Sequence, residues 1–182
     1  MRKFRKSAPR KLDTEEELYA AAIRALMRRA FSVSEMRRKL EDKTENKVLV
    51  GPVLAKLREK KLLDDARYAK EFARTRSSQR TQGRYRIVCE LRGRGVADAN
   101  IEAACDEAFA ENSEADLLKK RLARKLRLIR GPLDERKRAS LYGSLLRSGF
   151  SSDLIRKAMR EAAAESAALD AKLEDLSSAD DE

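Results

Sequence analysis

The sequence has no histidine and no tryptophan, and only two cysteines, three prolines and seven glycines in 182 residues. Without histidine, the side chain that ordinarily titrates near neutral pH is missing, and with it the commonest general base. So few glycines and prolines argue against a sheet protein rich in tight turns. The two cysteines, Cys89 and Cys105, are too few for a zinc site in a chain without histidine. Each falls on the apolar side of a predicted helix, where cysteine packs as a small buried hydrophobe rather than as half of a disulfide. No run of about 18 apolar residues is present, so no membrane span is expected. The first residues lack the apolar core of a secretion signal. These absences together predict a cytoplasmic protein.

Catalytic constellations are missing too. Asp64 and Asp65 are adjacent acids, but a helix cap followed by a first-turn charge explains them better than half of a metal site. The pair Gly93 and Gly95 has no following Lys-Ser or Lys-Thr and no preceding strand, so it is a helix ending rather than a phosphate loop. No active site, no cofactor and no metal are predicted.

What is abundant is alanine, leucine, arginine, lysine and glutamate, all strong helix formers. Hydrophobic residues make up 42% and charged residues 40%, with 42 Lys+Arg against 31 Asp+Glu and a net charge of +11. A core is attainable but thin, which suits small helical modules better than one thick globule. The charge is uneven. Residues 1–12 carry six basic residues and no acid, and residues 170–182 carry six acids and one lysine. Both ends lack apolar periodicity and are expected to be disordered.

Helices are predicted at about 14–30, 32–42, 51–62, 65–78, 81–92, 98–110, 113–129, 134–147 and from 151 onward, from apolar spacings of three and four. Thr14 with Glu17, and Ser32 with Glu35, have capping-box spacing. An internal repeat organises them. Leu91-x3-Gly95-Val96-x4-Ile101-x3-Cys105 matches Leu145-x3-Gly149-Phe150-x4-Ile155-x3-Met159, and Leu40 precedes a blurred version; the leucines stand 51 and 54 residues apart. Modules of this length that cannot each bury their own apolar face stack into an array. The predicted fold is all-α: three tandem three-helix repeats in an elongated, curved row, at 13–63, 64–111 and 112–168, between a basic arm (1–12) and an acidic tail (169–182). A compact bundle is the alternative.

Two segments are basic almost without relief. Arg74 to Arg94 holds seven arginines and one acid, and Lys119 to Arg130 holds seven basic residues and no acid. Same-sign neighbours on a helix repel, so unmixed rows point to an anionic partner. Arginine's planar fork suits phosphate or carboxylate. The candidate contacts are Arg74, Arg80, Arg84, Arg86, Arg92, Arg94, Lys119, Arg124, Lys125 and Arg127. Tyr85, between Arg84 and Arg86, reads equally as a stacking platform or as a half-buried residue.

Four motifs in order resemble one family. They are Ala25-Leu26-Met27-Arg28-Arg29 with Ser34-Glu35-Met36-Arg37-Arg38-Lys39-Leu40; Leu62-Leu63-Asp64-Asp65-x2-Tyr68-Ala69-x2-Phe72; Gly83-x2-Arg86-Ile87-x2-Glu90-Leu91-x3-Gly95-Val96; and Leu145-x3-Gly149-Phe150 through Ile155. The chain resembles the bacterial regulatory RecX family, modulators of the RecA recombinase. The resemblance covers Leu18 to Ala163 and implies tandem three-helix repeats. Leu63, Asp64, Asp65, Tyr68, Phe72, Gly83, Ile87, Leu91 and Gly95 would be its structural positions. It implies a non-enzymatic protein that binds the RecA filament on DNA and inhibits or remodels recombinase, ATPase and coprotease activity in DNA repair and the SOS response; the basic rows add expected phosphate contacts to single- or double-stranded DNA, and a monomer is expected. The polar stretch from Asp42 to Gly51 and Ala97 in a capping position depart from the family pattern. Two other readings stay open: a nucleic-acid-binding protein independent of RecA, and an adaptor for another acidic protein whose basic face the acidic tail shields.

Overall fold

A computed structural model describes residues 11–111 and 113–179. Among them are nine α-helices and no strand: α1 (Glu15–Leu26), α2 (Val33–Glu41), α3 (Val50–Glu59), α4 (Asp65–Ser78), α5 (Arg84–Gly93), α6 (Asp98–Glu111), α7 (Glu114–Leu126), α8 (Glu135–Arg147) and α9 (Ser152–Ala179). A one-turn 3-10 helix, Lys47–Leu49, leads into α3. Among the described residues two compact units form, one running up to residue 71 together with 91–103 and the other from 72–90 with the residues from 104 onward.

In the first unit, α1, α2 and α3 enclose Leu18, Ala22, Met36, Leu40, Val50, Val53, Leu54 and Leu57. They recur at spacings of three and four along each helix. The starts are capped by the predicted residues. Thr14 Oγ1 accepts from Glu17 N, and Ser32 and Glu35 complete a reciprocal capping box, so orphan N–H groups of both first turns are satisfied. In the second unit, α7, α8 and α9 enclose Leu117, Leu118, Leu122, Leu141, Leu145, Phe150 and Ile155. Asp134 caps α8 by accepting from Lys137 N at 2.7 Å.

The glycine endings are as the repeat requires. Gly95 and Gly149 both have positive φ, +72° and +92°, a region open to glycine at little cost. At the first of them Val96 N donates to Leu91 O and Gly95 N to Arg92 O, the paired bonds of a Schellman ending. The end of α3 has the same two bonds, Leu62 N to Leu57 O and Lys61 N to Arg58 O. There the left-handed residue is Lys61, at φ 54°.

Four expectations change. Cys89 is exposed, while Cys105 is buried as predicted. Cys89 lies two residues from buried Ile87 and Leu91, about 200° around the helix from the first, and so on the opposite side. In α4, Ala69 and Ala73, one turn apart, are fully buried. Helix α5 starts at Arg84 rather than Thr81, because Thr81 is left-handed at φ 50° and residues 79–83 form a turn. Of the expected basic arm, residues 1–10 lie outside the described residues. Lys11 and Leu12 are held: Leu12 N donates to Lys43 O at 2.8 Å and Leu12 packs on the first core. At the other end α9 continues to Ala179, past residue 169 where order was expected to stop, carried by alanine, leucine, lysine and glutamate. Residues 180–182 of the expected tail lie outside the described residues.

Candidate polyanion-binding surface

The corner between α3 and α4 is built from the Leu-Asp-Asp motif. Leu63 is buried and Leu62 is 40% exposed. Asp64 caps α4, accepting from Arg67 N at 3.0 Å. Asp65 does more than supply a first-turn charge. Its Oδ1 accepts from Val33 N at 2.9 Å, so it caps α2. Tyr68, half-buried, donates to Glu35 at 3.3 Å. Glu35 also accepts from Ser32 N and Arg29, with Arg94 beside it. Burial alone would raise the proton affinity of Glu35, but the hydrogen bonds from Arg29 and Ser32 and the charges of Arg29 and Arg94 outweigh it and hold the carboxyl below its ordinary value. Depression of the folded pKa gives stability that is present above the ordinary value near 4.5 and is lost as pH falls through the folded one. Glu35→Gln should therefore lower stability at neutral pH by about 1 kcal/mol. The gap between the two proteins should close below the ordinary carboxyl pKa in urea titrations. An equal gap at every pH would contradict this.

The rest of the motif serves packing. Ile87 and Leu91 are fully buried. Gly83 is buried, and its N–H donates to Ser148 O at 2.9 Å. A Cβ at Gly83 would overlap the backbone of Gly149 and Phe150. Arg84 N donates to Glu114 at 2.9 Å, so an acid from α7 caps α5. Phe72 is half-buried under the Arg76 guanidinium, 4.7 Å from its ring centroid.

The basic rows are unmixed in sequence but mixed in space. Arg84 pairs with Asp106 at 2.7 Å, Arg86 with Glu90 at 3.0 Å, Arg92 with Asp98 at 2.7 Å and Lys119 with Glu161 at 2.9 Å. Arg94 approaches Glu35 at 3.9 Å. Arg92 and Arg94 belong to the first unit, and the other candidates to the second. Arg74 and Arg80 are exposed at and after the end of α4, and Arg124 and Arg127 are exposed on and just after α7, with Lys125 half-buried between them. Among the described residues, no ion pair engages Arg80, Arg124, Lys125 or Arg127. Tyr85 is 72% exposed, which places its ring with Cys89 on the solvent side of α5.

Arg121 is a residue the sequence did not single out. Its Nη1 donates to Arg80 O at 2.9 Å and Thr81 O at 3.2 Å. Its Nε is buried without a hydrogen-bond partner. Burial, and then the charges of Arg124 and Arg86, hold its proton affinity below the ordinary arginine value. The only sequence signal was its place in an acid-free run. Its anchoring depends on a turn whose shape the sequence does not announce.

Known proteins share this architecture. Residues 64–104 match the second three-helix domain of RecX, and residues 112–159 match the third. A regulatory protein RecX from Halorhodospira halophila is 39% identical over 145 residues, covering 79% of this chain and 86% of that protein. The chain belongs to the RecX family. The Deinococcus radiodurans regulatory protein RecX is 38% identical, covering 85% of this chain and 74% of its own length. A crystal structure of regulatory protein RecX superposes with a TM-score of 0.70 at 26% identity, covering 80% of this chain and 73% of that one. RecX from Lactobacillus salivarius shares the fold, with a TM-score of 0.62 at 23% identity, covering 81% of this chain and 95% of that one. The RecX family is one of regulators, and the helical-repeat architecture read from the sequence is the fold of its solved members. Among the described residues no helix is long and apolar enough to cross a membrane.

Proposed function

We propose that this protein binds the filament that a RecA-type recombinase forms on DNA, and restrains its ATPase, strand-exchange and coprotease activities. The observation that carries this is membership of a family of regulatory proteins across most of the chain. The basic surface supports it, because a filament on DNA offers phosphate and protein carboxylate together. The chain acts by contact, as a cytoplasmic monomer without chemistry of its own. By bridging neighbouring protomers it resists the rearrangements that filament growth and nucleotide turnover require.

The test is recombinase-catalysed ATP hydrolysis on single-stranded DNA, with this protein titrated in. Strong inhibition well below one copy per recombinase protomer is expected. No effect at excess, with the recombinase of the same organism, would overturn the proposal. Direct nucleic-acid binding without recombinase is the second reading, favoured by arginines anchored on main-chain carbonyls. Its signature is DNA affinity with a steep salt dependence in the absence of recombinase.

A further inference from the structure

We propose that Arg86, Arg121 and Arg124 form a seat for one backbone phosphate of a nucleic acid. Two of the three are held in place by main chain. Arg121 is tied down by the carbonyls of Arg80 and Thr81, at 2.9 and 3.2 Å. Arg86 donates through Nη1 to Arg147 O at 2.8 Å. A carbonyl fixes a guanidinium without neutralising it, whereas a carboxylate does both. Arg124 stands one turn along α7 from Arg121, three residues on, and so faces the same side.

The local balance of charge is unfavourable in the free protein. Of the three, Arg86 is ion-paired among the described residues, with Glu90, which Arg76 shares, at 3.0 and 3.2 Å, while Arg121 has the charges of Arg86 and Arg124 beside it. Arg121 is half-buried, and its Nε finds no acceptor. A cation that is partly desolvated, crowded by like charge and incompletely hydrogen-bonded is stabilised most by an added anion. The forked, pre-positioned donors fit the tetrahedral oxygens of a phosphodiester better than they fit one another. A surface that served only to brace the turn at residues 79–83 would need Arg121 but not Arg124. Arg124 is exposed, and no hydrogen bond or ion pair engages it among the described residues.

The seat is the chain's own contact with phosphate and is read without recombinase. It can fail while the filament reading stands, and the reverse also holds. The experiment uses the full chain and a fluorescein-labelled deoxythymidylate 20-mer, with anisotropy followed across a salt series. For single strands each phosphate contact contributes about 0.7 to the slope of log affinity against log salt. Arg121→Met and Arg124→Gln should each lower the slope by about that amount. Arg121→Lys, which keeps a charge but loses the fork, should fall between. Arg136→Gln, at an exposed position on α8, should leave the slope unchanged. Arg121→Met tests the brace as well, so its melting temperature is read in parallel; Arg124→Gln decides the matter if Arg121→Met unfolds. An unchanged slope in Arg124→Gln overturns the seat. So does an equal loss in Arg136→Gln, which would mean diffuse attraction. Loss of filament binding with an unchanged DNA slope would assign the arginines to an acidic protein surface, and would overturn the phosphate assignment.

Discussion

Gly83→Ala is expected to destabilise the second unit by about 3 kcal/mol, at the upper end of what overpacking costs. The added methyl would meet the Gly149 carbonyl and the Phe150 nitrogen, and main chain cannot rotate away as a side chain can. The same substitution would disturb the bond from Gly83 N to Ser148 O, and with it the neighbouring bond from Tyr85 N to Gly149 O. Gly149→Ala should cost a similar amount for two reasons. Its φ of +92° is unfavourable for any residue with a Cβ, and that Cβ would press on the Arg86 backbone. Gly51→Ala supplies the comparison. It stands in α3 with nothing near the position of a Cβ, so alanine should stabilise by about 0.5 to 1 kcal/mol. The check is urea unfolding followed by circular dichroism. If Gly83→Ala and Gly51→Ala shift the midpoint alike, the close backbone approach is wrong.

The joint that this prediction probes has a counterpart in the first unit. There Ser32 Oγ donates to Arg94 O at 2.6 Å, and a Cβ on Gly95 would collide with Ser34. In both places the first turn of one repeat's middle helix meets the glycine ending of the next repeat's middle helix. The glycines of the repeated motif therefore have two jobs, a left-handed ending and room for a neighbouring backbone. The sequence announced the first job, because a glycine after an apolar stripe is a local signal. It did not announce the second, which depends on a contact across tens of residues.

The same division runs through the rest of the molecule. Caps at Thr14, Ser32 and Asp64 and the glycine endings at Gly95 and Gly149 were legible, since each is written within a few residues. Lys61 and Thr81 take positive φ without being glycine, and nothing local marks them. Asp65 reads locally as a first-turn acid, yet it reaches α2. The candidate surface shows the effect most strongly. Two runs that look unmixed draw carboxylates from other helices: Asp106 and Asp98 from α6, and Glu161 from α9. Charge counting along the chain cannot see those partners. It therefore overstates the free charge of Arg84, Arg92 and Lys119, and it passes over Arg121, whose importance lies in what anchors it.

The largest functional effect is expected at exposed arginines that no ion pair engages among the described residues. Reversing Arg80, Arg124 and Arg127 together to glutamate should weaken filament binding about a hundredfold or more at physiological salt, because three phosphate or carboxylate contacts become repulsions. Stability should hold. The three side chains are exposed, and a glutamate at 124 relieves the crowding around Arg121 rather than adding to it. Reversing Arg84, Arg92 and Lys119 changes the net charge by the same amount but acts on residues already paired at 2.7, 2.7 and 2.9 Å. Exposed pairs of this kind are screened by solvent and contribute little to stability, so that variant should lose a little stability and less binding. Comparing the two triple variants in one co-sedimentation assay with filament separates a placed set of charges from total charge. Equal losses would mean that net charge alone drives association. Full binding by the first variant at moderate salt would remove the α7 row from the interface. The stronger loss in the first variant is the outcome expected, because an arginine that has no partner at home gives up no ion pair when it meets one elsewhere.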